Sequence, residues 1–136
     1  MKKTTITPED YVSYDLALAL KKAGFDWPCI AQWACEPDGK PMLVGSTAFV
    51  FNNAELKGRD VSAPFMWQAQ KWLRNTHKID LNVDLDDETE DPYTVEIYKN
   101  KKCVVGHWKF GFFATYEQAL SAGIASALEL IEKKGE

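Results

Sequence analysis

Cys29 and Cys35 stand six residues apart, Cys103 is remote from both, and the two histidines are His77 and His107. A zinc site takes its ligands in closely spaced pairs such as Cys-x-x-Cys or His-x-x-x-His. Neither pair occurs, and no metal site is expected. Cys103 and His107 are four apart in what reads as a strand, so they share a face. A thiol nucleophile needs a base within hydrogen-bond reach, whereas strand rise separates residues four apart by about 13 Å. They would meet only across a bulge or a bend at Gly106, and no nucleophile–base pair is assigned. Asp84, Asp86, Asp87, Glu88, Glu90 and Asp91 place six acids in eight residues. Hard cations such as calcium favour carboxylate oxygens, but the run lacks the glycine and closing glutamate of an EF-hand loop. It reads as a solvated loop that repels nucleic acid. No Gly-x-Ser-x-Gly, phosphate-cradling loop or dinucleotide fingerprint is present. The expectation is a chain with no catalytic set and no cofactor.

The aromatic inventory says more. Aromatic residues are 12% of the chain, with tryptophan at Trp27, Trp33, Trp67, Trp72 and Trp108. On a helical wheel Phe65, Met66, Ala69, Trp72 and Leu73 cluster on one side, while Trp67 shares the opposite face with Gln70, Lys71 and Arg74. Lys71 and Arg74 follow Trp67 by one and two turns, a spacing that permits stacking on the indole. Tyr11, Tyr14 and Leu18 form a second stripe on the first helix. His107 to Phe113 puts aromatics, Trp108 and Phe110 among them, on both faces of an alternating segment. Each feature has a packing alternative, in which a neighbouring strand, loop or helix covers it. Taken together they suggest more apolar area than one small body hides, and such surplus marks interfaces. The expected function is a non-enzymatic module that self-associates or docks on a protein partner through Trp67, Lys71, Arg74, Tyr11, Tyr14, Leu18, Trp108 and Phe110.

At 136 residues the chain has the length of a single domain, expected to span 1–136. Hydrophobic residues are 46% and charged residues 26%, the balance of a globular protein rather than a disordered one. A net charge of −4 argues against a broadly basic nucleic-acid or membrane-surface binder. Lys2 and Lys3 are followed by no apolar run, and no segment has the length of a membrane span. An odd cysteine count without a secretion signal suggests reduced, buried thiols in a cytoplasmic protein.

These residues need elements to hold them. Thr7 as cap, Pro8 at the first helical position and the acids Glu9 and Asp10 predict a helix that runs to Gly24. Cys29 to Cys35 reads as a strand, Glu36 to Lys40 as a turn, and Pro41 to Val44 as the returning arm of a hairpin. Thr47 to Phe51 is a further candidate strand, and Asn52 to Val61 is irregular. A second helix starts behind Ser62 or Ala63 and runs to about Thr76, with His77 as a cation at its carbonyl end. Ile79 to Leu85 alternates apolar and polar residues, as a strand with one dry face does. Tyr93 to Lys99 and Lys102 to about Phe113 follow, the last bent near Gly106 or Gly111. Thr115 and Gln118 have the spacing of a capping box. The last helix behind them has an apolar face of Tyr116, Leu120, Gly123, Ile124, Ala127, Leu128 and Ile131. The expected class is α+β, with an antiparallel sheet and three helices mainly on one face, in the order α-β-β-(β)-α-β-β-β-α.

Three stretches carry a resemblance: Val12 to Ala17 with Lys22 to Phe25, Ala63-Pro64 with Lys71 to Arg74 and His77, and Thr115 to Leu120. Together they resemble a family of small uncharacterised proteins of gut-bacterial genomes and their prophages. The resemblance implies a bacterial or phage-derived intracellular protein, and no activity, cofactor or site residue. Residues 64–131 are also similar in element order to double-stranded-RNA-binding domains. Those domains meet phosphates with cations at the start of the last helix, where this chain has Thr115-Tyr116-Glu117-Gln118. That order implies a second reading, a mobile-element accessory protein that contacts nucleic acid through Lys71, Arg74, Lys99, Lys101, Lys102 and Lys109.

Overall fold

The computed structural model describes residues 6–46 and 50–134. It is an α+β protein whose described residues form two three-stranded antiparallel sheets and three α-helices. Its contacts gather into two compact units, Met1–Phe65 and Met66–Glu136.

In the first unit, the residues that announce a helix start form a separate turn. Pro8–Asp10 is a single 3-10 turn, closed by a capping box in which the Thr7 N–H donates to Asp10 Oδ2 at 2.8 Å. The chain then extends. Tyr11 bridges to Phe65 with its ring stacked at 4.6 Å, and the Val12 N–H donates to the Pro64 carbonyl. The true helix α1, Tyr14–Lys22, begins behind Ser13, whose hydroxyl accepts from the Leu16 N–H. A partner more than fifty residues away thus overrides the local capping signal at Thr7. Gly24, at φ 99°, ends α1 as expected.

Strands β1, Ala31–Cys35, and β2, Pro41–Gly45, form the expected hairpin around Gly39, at φ 91°. A third strand, β3, is only Val61–Ser62 and pairs with the other side of β1, giving the order β2-β1-β3. Of the candidate strand at 47–51, Thr47, Ala48 and Phe49 lie outside the described residues, and Phe51 bridges to Cys29. Val12, Leu16, Ala17, Leu20, Phe25, Ala31 and Val61 make the core. Beside it, buried Asn53 donates to the Phe25 carbonyl at 2.8 Å and accepts from the Ser62 N–H at 2.9 Å. That single amide satisfies two backbone groups cut off from water.

In the second unit, helix α2, Met66–His77, starts two residues past Pro64, and Ser62 and Ala63, expected just before the helix, bond to the first sheet instead. Strands β4, Ile79–Leu85, β5, Tyr93–Lys99, and β6, Lys102–Val105, form a meander in spatial order. Helix α3, Tyr116–Lys134, follows, and α2 and α3 pack on each other and on the same side of this sheet. Ile79, Leu81, Val95 and Ile97 are the dry face, while Asp80 and Asn82 point to water. Gly123 lets α3 come close: a Cβ there would stand 2.9 Å from Val95 Cγ2. The reciprocal capping box at Thr115 and Gln118 is formed, at 3.1 and 3.3 Å. Tyr116, placed on the apolar face by the wheel, is exposed and turns the edge of its ring to Tyr93.

The third strand is shorter than the sequence suggests. It stops at Val105, and His107–Lys109 forms a 3-10 turn before Phe113 rejoins β5 by bonding to Tyr93. The Trp108 ring lies over Gly106, where any Cβ would overlap it. The aromatics from Trp108 to Phe112 therefore do not alternate across a strand.

Candidate functional site

Tyr11 and Tyr14 are used inside the first unit. Tyr11 stacks on Phe65, and Tyr14 meets Trp33 edge-on at 6.3 Å while its hydroxyl donates to the Arg59 carbonyl at 3.3 Å. Leu18 is exposed, but its stripe is broken because Tyr11 lies outside the helix. In the second unit Trp67 is 58% exposed, and Lys71 and Arg74 follow it on the solvent side of α2. Trp108 is 72% exposed and Phe110 is half-buried.

A further apolar surface lies where the sequence raised no flag. Strand β2 is an edge of its sheet, and its residues Pro41, Met42, Leu43, Val44 and Gly45 carry no charge. Met42 is 52% and Val44 37% exposed, and the register sets them on the same face as Ile30, itself 43% exposed. The Ser46 N–H donates to the Ile30 carbonyl and the Glu36 N–H to the Lys40 carbonyl. Alternation along an antiparallel ladder then turns the backbone groups of Leu43 and Gly45 away from β1. Among the described residues no backbone hydrogen bond reaches that outer edge. Beside it runs a groove of about 590 Å³, lined by Ile6, Pro8, Tyr11, Leu43 and Gly45 among others. Natural edges are usually blunted by lysine, bulges or covering loops. Here Pro41 is the one such device within the strand. The signal in the sequence is a hairpin arm without a charged residue, which marks a strand but not an edge.

The basic residues divide. Arg74 and Lys101 share a surface cleft of about 360 Å³ with Asn75, Lys78, Asp80 and Asn100. Lys71 lies one turn earlier on α2, and Lys102 opens β6. Lys99 ends β5, near enough to His77 to affect its titration. Lys109 lies in the turn beyond the other end of β6. The start of α3 carries Glu117, as its sequence indicates.

His77 is not the cation expected at the end of α2. Burial, and next the Lys99 charge, lower its pKa, and Nε2 is buried with no hydrogen-bond partner among the described residues. Its ring instead meets Trp72 edge-on at 4.9 Å. His107 meets the Trp108 ring in the turn after β6, while Cys103 is exposed on the strand. Burial pushes the Cys29 thiol up to about 11, which makes it inert near neutrality. Among the described residues no three His, Cys, Asp or Glu side chains gather as a metal site requires. The acidic loop is instead tied to itself, with Asp86 Oδ1 accepting from the Glu88 N–H at 3.0 Å. No described helix is long and apolar enough to cross a membrane.

The fold and its surfaces define an α+β protein with, in one unit, a sheet edge that no described residue pairs and, in the other, a charged cleft. Compared with protein-family models, curated proteins and solved structures, the chain finds no match in any of the three.

Proposed function

We propose that the chain is a non-enzymatic, self-associating module in which β2 of one copy pairs edge to edge with β2 of a second. The observation that carries this reading is the uncharged outer edge of β2, flanked by exposed Met42, Val44 and Ile30. An antiparallel pair centred on Leu43 is related by a two-fold axis and sets no like charges opposite each other. A five-residue edge falls short of the roughly 800 Å² per partner of a stable interface, so the association is weak, with Kd in the micromolar range or above. The reading also takes the chain to be a cytoplasmic protein of bacterial or phage origin, on the strength of its three motif stretches.

Light scattering on a size-exclusion column, loaded over a range of concentrations, tests it. The parent chain is expected to shift from monomer towards dimer, and Val44→Lys and Met42→Lys to stay monomeric. Loss of the dimer in Trp67→Ser or Trp108→Ser, with Val44→Lys unaffected, would move the contact to the aromatic surfaces of the second unit. A parent chain that is monomeric throughout would end the proposal.

A further inference from the structure

The second unit separates its charges along the sheet. Strand register places Ile79, Lys99 and Lys102 at one end of the meander and Leu85 and Tyr93 at the other. The first end carries Arg74, Lys78, Lys99, Lys101 and Lys102, and the second carries the acidic run from Asp84 to Asp91. Strand rise puts about 20 Å between them. At the basic end, Arg74, Lys78 and Lys101 line one cleft with the amides of Asn75 and Asn100 and a single carboxylate, Asp80. None of these three cations makes an ion pair among the described residues.

Two of them sit where a lysine is costly. Lys78, just past the end of α2, has φ 59°, and Lys101, the second residue of the two-residue turn between β5 and β6, has φ 69°. Glycine or asparagine usually fills both kinds of position. The negative end of α2 accounts for a cation nearby, but not for lysines in left-handed backbone. Lys78 is tied to the turn that carries Lys101, because the neighbouring Asn100 N–H donates to the Lys78 carbonyl at 3.2 Å. The cations are thereby mounted on a turn and a helix end that brace each other, a preorganised set of donors. Strained non-glycine residues gather where function holds them.

We propose that this cleft binds a compact phosphate group, such as a phosphomonoester or a diphosphate. The Arg74 guanidinium presents a planar fork to two phosphate oxygens, Lys78 and Lys101 supply point charge, and the asparagine amides complete the donors. The volume suits one or two phosphates rather than a long polyanion. The acidic run at the other end of the sheet opposes a duplex laid along it.

The test is a titration of the full chain with inorganic pyrophosphate, followed by amide chemical shifts. Saturable shifts confined to Asn75, Lys78, Asn100 and Lys101 are expected. Arg74→Gln and Lys101→Ala should each weaken binding about tenfold, the loss of one charge-assisted contact. Lys71→Gln, one turn away on the same helix, should change nothing. Shifts that never saturate, or that spread over lysines of both units, would overturn the site as ordinary ion atmosphere. A short RNA duplex that binds more tightly than pyrophosphate, with a steep salt dependence, would replace the small ligand with a nucleic-acid backbone.

Discussion

Replacing Lys101 with glycine should stabilise the protein. Asn100 and Lys101 have φ 51° and 69° and join the paired residues Lys99 and Lys102, the geometry of a type I′ turn. Left-handed backbone costs an L-residue roughly 1–2 kcal/mol, less for asparagine, whose side chain tolerates it. Glycine removes that strain but gains freedom in the unfolded chain, a loss of about 0.5–1 kcal/mol. The net gain for Lys101→Gly is about 0.5–1 kcal/mol, or roughly 2–4 °C in melting temperature for a chain of this size. Lys101→Ala separates the causes, because it removes the charge and keeps the strain. Urea denaturation followed by tryptophan fluorescence should place Lys101→Gly above the parent in midpoint and Lys101→Ala level with it, at unchanged slope. A midpoint for Lys101→Gly at or below that of Lys101→Ala would refute the strain argument. The stabilised variant should also bind pyrophosphate less well, stability rising as the site is lost.

Gly123→Val should destabilise by about 2 kcal/mol or more, since even its Cβ would crowd Val95; Val95→Ala in the same chain should restore part of the loss in a double-mutant cycle. Asn53→Ala removes the amide that donates to the Phe25 carbonyl and accepts from the Ser62 N–H, and should cost about 1–3 kcal/mol by urea titration. For His77 the folded state holds the lower pKa, so on acidification the unfolded chain takes up its proton first. Stability should therefore fall below about pH 6.5, and His77→Gln should flatten that slope in melting curves recorded across the range.

Elements governed by neighbours in sequence were legible. The Glu36–Lys40 turn, the alternation of β4 and the Thr115–Gln118 box all read correctly, because each rests on contacts within a few residues. The misreadings share a cause. Tyr11 leaves its helix for Phe65, and β3 exists only because β1 offers a second edge to Val61 and Ser62. The strand after Lys102 ends early because Gly106 seats the Trp108 ring and Phe113 returns to Tyr93. Each depends on a partner fixed by the fold. The surfaces were partly legible: Trp67 sits on the solvent face that its wheel position gave. The edge of β2 was not, because edge position is a property of strand order, and strand order has no local signature. The convergence of Arg74, Lys78 and Lys101 was likewise hidden, since α2 and the β5–β6 turn meet only in the folded unit.

Amide hydrogen exchange at Leu43 and Gly45, whose N–H groups point away from β1, is the closest test of edge pairing. Their protection should rise with protein concentration, while that of Val44, already turned towards β1, stays constant. Exchange at Leu43 and Gly45 that is fast and independent of concentration would contradict the account.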